Sequence, residues 1–252
     1  MKIHIQFSRF SAFYSPLISV MAGGFLENEG LEFEWSNSPV GKSAVDALID
    51  GSAHVVQSAP SQGFLAAANG KIPPERHFAQ VNEMDGFFLA AQNADPDVTC
   101  DKLNEARIIV DQTIVQPLSM FKYACFKQGL DFDNLEIINA GSGADMINAF
   151  KDGQGDYIHL QGPAPQQLEF DGAGSIVAPV GPAIGPCAFS SLAATPEWLE
   201  TDMAKAFTRA YGNERQWPIA TSADQVAKTL GSYFSDIHPS VLGSRISYYQ
   251  TL

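Results

Sequence analysis

The chain has 252 residues, with 15 Lys and Arg against 28 Asp and Glu for a formal charge of −13, and 45% of its residues are hydrophobic. That length and apolar content suffice for a large buried core and exclude a disordered segment, while the excess negative charge disfavours nucleic acid and anionic lipid surfaces as partners. Three cysteines at irregular spacing and five scattered histidines carry no disulfide framework, no HExxH and no paired-cysteine spacing, so neither a metal nor a cofactor is expected.

The first residues, MKIHIQF, enter a strand at once, with no charged segment followed by an apolar run of signal-peptide type. A native start at Met1 would place the protein in the cytoplasm, and removal of an export signal would place it in the periplasm or another extracytoplasmic space. No apolar stretch approaches the roughly 20 residues of a membrane span. After the first strand comes a polar loop, then a helix announced by Pro16-Leu17, proline being suited to a first helical turn where its missing N–H has no partner. The helix is expected to close at Gly30 in the run Gly-Leu-acid-Phe-acid, glycine being the cheapest left-handed cap.

A second strand, a helix opening at Gly41-Lys42-Ser43 and a third strand complete this unit by residue 62. IPPERH, residues 72–77, reads as a turn, and residues 78–92 read as extended apolar chain broken at Asp85-Gly86, a first crossing between lobes. Residues 93–106 carry turn chemistry and a short capped helix.

At Arg107 the plan begins again. RIIV, a loop, a helix announced by Pro117-Leu118 and a Gly129-Leu-acid-Phe-acid ending repeat the first half, and the later segments align at a constant offset, Asp50-Gly51 with Asp152-Gly153 and Ser43 with Asp145 as helix caps. Two copies of a strand-helix-strand-helix-strand unit are too few for a propeller and too long for a solenoid; they predict two lobes. A Pro-rich loop at 161–167, a Gly- and Pro-rich segment at 172–187 and a returning strand at 188–195 follow. Helical periodicity over 196–217 and 222–234, with Ser222 as N-cap, then completes the first lobe from the C-terminal third. The expected boundaries are 1–86 plus 188–252 for lobe I and 87–187 for lobe II, joined by two connections as in a hinge. Each lobe should be a mainly parallel sheet flanked by helices, with ligands at the carboxyl ends of the strands in the cleft between lobes.

With these features in place, FYSPLISVMAGGFLENEGLEFEW, GKSAVDALIDGSAHVVQSAPS and GSGADMINAFKDGQGDYIHLQGPAPQQ resemble the type II periplasmic solute-binding proteins of ABC transporters. The resemblance is strongest to the group binding thiamine pyrimidine precursors, alkanesulfonates, taurine and nitrate. It implies a two-lobed α/β fold and a binding protein that closes on a small polar, anionic or heteroaromatic molecule and delivers it to an ABC permease. The chain departs from the group in lacking an export signal and in stopping at SYYQTL, inside a helical pattern. Rival readings are a cytoplasmic enzyme on the same scaffold (lyase, decarboxylase or pyrimidine-forming synthase) and a ligand-sensing module of a larger receptor.

Candidate ligand-binding residues follow from the loop positions. Arg9 in the loop after the first strand would grip a carboxylate, sulfonate or ring oxygen, and Phe10, Phe13 and Tyr14 would stack on a ring; alternatively the aromatics fill the core and Arg9 is solvated. Gly41, Lys42 and Ser43 form either an anion site at a helix start or an ordinary cap. Gly143 occupies the equivalent loop of the second repeat. Ser58 and Ser61 follow the third strand, and Gln161 takes the matching place in the second lobe, as hydrogen-bond donors or as turn formers. Asn82, Glu83 and Asp85 fall near the crossing, where a carboxylate would meet an amine or ring nitrogen or be solvated, and Asp111 with Gln112 after a second-lobe strand carry the same two readings. Cys187 lines the second crossing; as a nucleophile it lacks a histidine nearby in sequence.

Overall fold

The computed structural model describes residues 1–39, 42–112, 115–141 and 143–250, with only the backbone described at Leu65, Pro218 and Ile219. Ten strands are found among them: β1 (Lys2–Phe7), β2 (Glu32–Asn37), β3 (Val55–Ser58), β4 (Arg76–Asn82), β5 (Phe87–Ala91), β6 (Arg107–Val110), β7 (Glu136–Ile138), β8 (Tyr157–Gln161), β9 (Ser175–Pro179) and β10 (Ser190–Ala194). They form two five-stranded sheets, β2-β1-β3-β10-β4 and β7-β6-β8-β5-β9. The chain divides into two compact units, Met1–Glu83 with Ala188–Leu252, and Met84–Cys187.

In the first unit β1 runs parallel to both β2 and β3, while β10 is antiparallel to β3 and β4. The second unit repeats the arrangement: β6 is parallel to β7 and β8, and β5 is antiparallel to β8 and β9. Four strands in each sheet therefore point one way and one points back. Strands covered by helices on both faces are buried throughout, and their sequences show it: VVQS in β3, FFLAA in β5, YIHLQ in β8 and SSLAA in β10 have no exposed residue.

The helices begin and end where the local chemistry dictates. Helix Ser15–Ala22 opens with proline in its first turn. The expected continuous helix up to Gly30 is instead two pieces, because Gly24 takes φ 76° and a second short helix, Phe25–Asn28, restarts there. Gly30 and Gly129 both adopt the left-handed conformation, φ 72° and 77°, which no other residue type takes cheaply. Helix Ala223–Leu230 carries the Ser222 cap, whose hydroxyl accepts from Gln225 N–H.

Each unit has its own core. In the first, Ala44, Ala47 and Leu48 of helix Ala44–Ile49 pack on Val56 and Ala193. The long helix Asp202–Ala220 lies against Ser15–Ala22 and Phe25–Asn28, so the C-terminal third closes this unit. In the second, Met146, Ala149 and Phe150 of helix Ala144–Lys151 meet Ala90, Ile109, Ile158, Leu160 and Leu168. Among the described residues no helix is long and apolar enough to cross a membrane.

Candidate functional site

Open parallel sheets present their ligand-facing loops at the carboxyl ends of strands, where backbone groups and helix starts converge. In the first unit this rim is formed by the loops after β1, β2 and β3 together with the end of β4 and the start of β10. A hydrogen-bonded chain fixes it. Ser8 N–H and its hydroxyl bind the Gln57 carbonyl at 3.2 and 2.8 Å; Gln57 Nε2 donates to Ser190 Oγ at 2.7 Å, and that hydroxyl donates to the Ser58 carbonyl at 3.2 Å. Gln57 and Ser190 carry no signal in the sequence, because nothing in a strand's alternation marks a buried glutamine as structural.

The three aromatics after β1 are part of the packing. Phe13 and Tyr14 are buried at 1% and 5% exposure, and the Phe13 ring meets Phe189 and Tyr249 edge-on at 5.5 and 5.2 Å. Phe10 stacks on Trp35 at 4.5 Å and on Phe234 at 5.3 Å, so it belongs to an aromatic cluster with Phe7 and Tyr233. Phe10 and Phe13 thus pack against aromatic rings of their own unit, as in the alternative reading in which the loop aromatics fill the core. Arg9 is half-buried in the same loop.

The supposed anion site also changes character. Gly41 lies outside the described residues, and Lys42 is exposed. Ser43 is the N-cap of a six-residue helix in a full capping box: its hydroxyl accepts from Val45 N–H at 3.1 Å, and Asp46 takes the Ser43 N–H at 3.0 Å. The same hydroxyl donates to Gln62 Oε1 at 2.9 Å, so it is committed to the fold. In the second repeat the cap is Gly143, φ 52°, and the expected cap Asp145 lies instead inside the first turn, the helix being two residues longer at its start.

Ser58 and Ser61 behave differently. Their hydroxyls are buried with no hydrogen-bond partner among the described residues, and so is Oδ1 of Asn82, whose Nδ2 donates to the Phe13 carbonyl at 2.8 Å. Buried polar atoms are nearly always paired in folded proteins, so these unpaired ones call for an explanation.

The second unit's rim lies at the ends of β6 and β8, the start of β5 and the end of β9. Asp111 and Gln161 are buried there at 1% and 6% exposure, whereas Gln112 and Gly143 are exposed. Gln161 faces Phe87 across the strand pair, and Gly162 N–H reaches the Gly86 carbonyl at 3.1 Å. Gln166, in the helix Ala164–Phe170 that follows, is 7% exposed with both amide atoms unpartnered; its place inside a helix gave no sequence signal. Glu83 is exposed, but Asp85 is 3% exposed. Asp85 Oδ1 accepts from Phe87 N–H at 2.7 Å, Oδ2 has no partner, and burial pushes its carboxyl up to about 7. Gly181 presses on Asp85 so closely that a Cβ there would stand 2.5 Å from the Asp85 carbonyl oxygen.

Cys187 is half-buried, and burial together with the neighbouring Asp85 raises its thiol above the ordinary value, the opposite of what a nucleophile needs. No group of three or more His, Cys, Asp or Glu side chains able to hold a metal ion is found among the described residues.

No protein-family model matches the chain. A curated relative, YtlA of Bacillus subtilis (strain 168), described as a candidate binding protein, is 26% identical over 99% of this chain and 75% of its own length. Among solved structures, the alkanesulfonate-binding protein SsuA from Xanthomonas axonopodis pv. citri, bound to MOPS, is similar with a TM-score of 0.75 at 18% identity, over 98% of this chain and 84% of that one. The periplasmic nitrate-binding protein NrtA from Synechocystis PCC 6803 superposes with a TM-score of 0.72 at 16% identity, over 97% and 69% of the two chains. Such identities carry fold and not ligand, and together with the two mixed sheets and their flanking helices they establish that the chain has the two-lobed periplasmic-binding-protein fold of type II.

Proposed function

We propose that the protein is the solute-binding component of an ABC-type importer, working outside the cytoplasm and handing a small polar or heteroaromatic molecule to a membrane permease. The observation that carries this reading is a set of buried polar atoms without partners among the described residues, at strand ends or in the helical turns that follow them: Ser58 Oγ, Ser61 Oγ and Asn82 Oδ1 in one unit, Asp85 Oδ2 and the Gln166 amide in the other. Left unmet, each costs about 1–3 kcal/mol; a solute that satisfies them recovers that cost on binding. Capture is by hinge closure of the two units on a solute held by residues of both, and closure is favoured only by contacts the solute makes in the closed state. Sulfonates, pyrimidine precursors of thiamine and aromatic acids are the solutes suggested by the resemblance.

Native mass spectrometry of gently purified protein, followed by thermal-shift screening, tests the proposal. A solute recovered chemically unchanged, and raising the melting temperature saturably, supports it; conversion of a stabilising compound to product would replace it with an enzymatic role. Arg9→Ala is expected to weaken binding, and unchanged affinity would remove Arg9 from the site.

A further inference from the structure

The chain enters the second unit at Met84 and leaves it at Cys187, and within that unit the two passages lie side by side. Val180 N–H donates to the Phe87 carbonyl at 2.9 Å, and Phe88 pairs with Pro179 across the antiparallel strands. A Cβ on Gly181 would stand 2.5 Å from the Asp85 carbonyl oxygen, so the two main chains touch with no side chain between them. Farther along, the Asp85 amide and carboxylate both act on the Cys187 thiol, the carboxylate opposing its ionised form and the amide favouring it. Residues 84–87 and 180–187 therefore form one joint, and both connections between the units pass through it.

A single carboxyl lies buried in this joint. Asp85 is 3% exposed; its Oδ1 accepts from Phe87 N–H at 2.7 Å, and its Oδ2 has no partner among the described residues. Burial raises the carboxyl to about 7, and the Phe87 N–H opposes that rise. The helix Gly181–Ile184 brings no titratable side chain. The second passage brings the Cys187 thiol, β8 brings His159, whose ring stacks on Phe87 at 4.6 Å, and Glu83, two residues earlier, is exposed. No cation acts on the carboxyl among the described residues, so its ionised form is met by one N–H and opposed by burial.

We infer that Asp85 is a proton-operated latch on the joint: protonated, it lets the two passages stay packed, and ionised, it draws water in and loosens them, so the connections move more freely at neutral than at acid pH. The inference concerns the connections of the solute-free protein and stands or falls separately from the solute-binding reading. A carboxyl that holds its proton more tightly in the packed joint than in the opened one favours the packed form fully below its ordinary value of 3.8. That advantage is lost as pH rises toward about 7 and changes no further above it.

Hydrogen exchange read by mass spectrometry on the solute-free protein, from about pH 5 to about pH 8 and corrected for the intrinsic pH dependence of amide exchange, tests this. Protection of residues 85–88 and 180–187 should fall on the order of tenfold or more between about pH 5 and 7 and then level off, while β6 in the same unit keeps its protection. Asp85→Asn keeps an oxygen on Phe87 N–H and has no proton to lose, so it should abolish the fall. A fall of equal size in β6 overturns the inference, because the whole unit would then be opening. No fall in the joint overturns it too, because Asp85 would then hold its proton equally well once exposed. A fall that persists in Asp85→Asn assigns the proton to another group and likewise overturns it. The contrast between the joint and β6 in the unmodified protein decides the matter even where Asp85→Asn does not fold.

Discussion

The two units share strand order, connection plan and turn glycines, yet their rims are used differently. In the first, the loop aromatics and the helix cap are committed to the fold: Phe13 is buried against Phe189 and Tyr249, and Ser43 is tied to Val45 and Gln62. In the second, the equivalent helix starts at an exposed Gly143 with no side-chain cap. A doubled architecture thus preserves what the core and turns require, and lets the rims diverge.

Breaking the first rim should cost the most. Phe13→Ala is expected to destabilise the empty protein by about 3–5 kcal/mol, the range for emptying a filled aromatic site, measured by urea unfolding. A loss of ligand affinity with no loss of stability would return Phe13 to the binding surface.

A buried acid by itself does not identify a rim, and Glu214 sharpens that point. It sits at 0% exposure in helix Asp202–Ala220, and burial raises its carboxyl to about 8. A carboxyl raised on folding binds more protons in the folded than in the unfolded state, so its contribution is fully favourable below the unfolded value of about 4.5 and is lost as pH rises toward 8. Unfolding free energy should therefore fall between pH 5 and 8, and Glu214→Gln should flatten that slope by about 1 kcal/mol for each step of one in pH, close to the roughly 1.4 kcal/mol limit for a single proton. An unaltered slope would mean that Glu214 holds its proton equally well in the folded and unfolded chain. Asp85→Asn should likewise relieve a buried acid, but it alone of the two should also change solute affinity.

Smaller effects separate the two helix starts. Ser43→Ala removes the cap and the Gln62 bond and is expected to lower stability by about 1 kcal/mol. Asp145→Ala, at an exposed first-turn position, should cost only a few tenths of a kcal/mol through the lost helix-dipole interaction. Equal losses in thermal unfolding would show that the two starts are built alike after all.

Much of this was legible in the chain. Gly30, Gly129, Asp50-Gly51 and Asp152-Gly153 punctuate both copies so plainly that the sequence of strands and helices along the chain follows from local rules. The break at Gly24 was hidden because the flanking residues keep a helical pattern. Sites were less readable. A loop aromatic such as Phe13 has no period to show which way it faces, and a constant sequence offset misplaced the second cap because the second helix gained two residues at its start. Gln166 was unremarkable as a residue type; only the absence of partners around its buried amide among the described residues sets it apart.

The contact between Gly181 and Asp85 bears on how variable the second unit can be. With backbone oxygen 2.5 Å from where a methyl group would sit, even alanine forces main-chain displacement beside the buried carboxyl. A library randomised at position 181 and selected for folded protein should return glycine almost alone, whereas one randomised at the neighbouring exposed Pro182 should tolerate many residues. One missing side chain thereby dictates how tightly the chain can be drawn across this edge of the sheet.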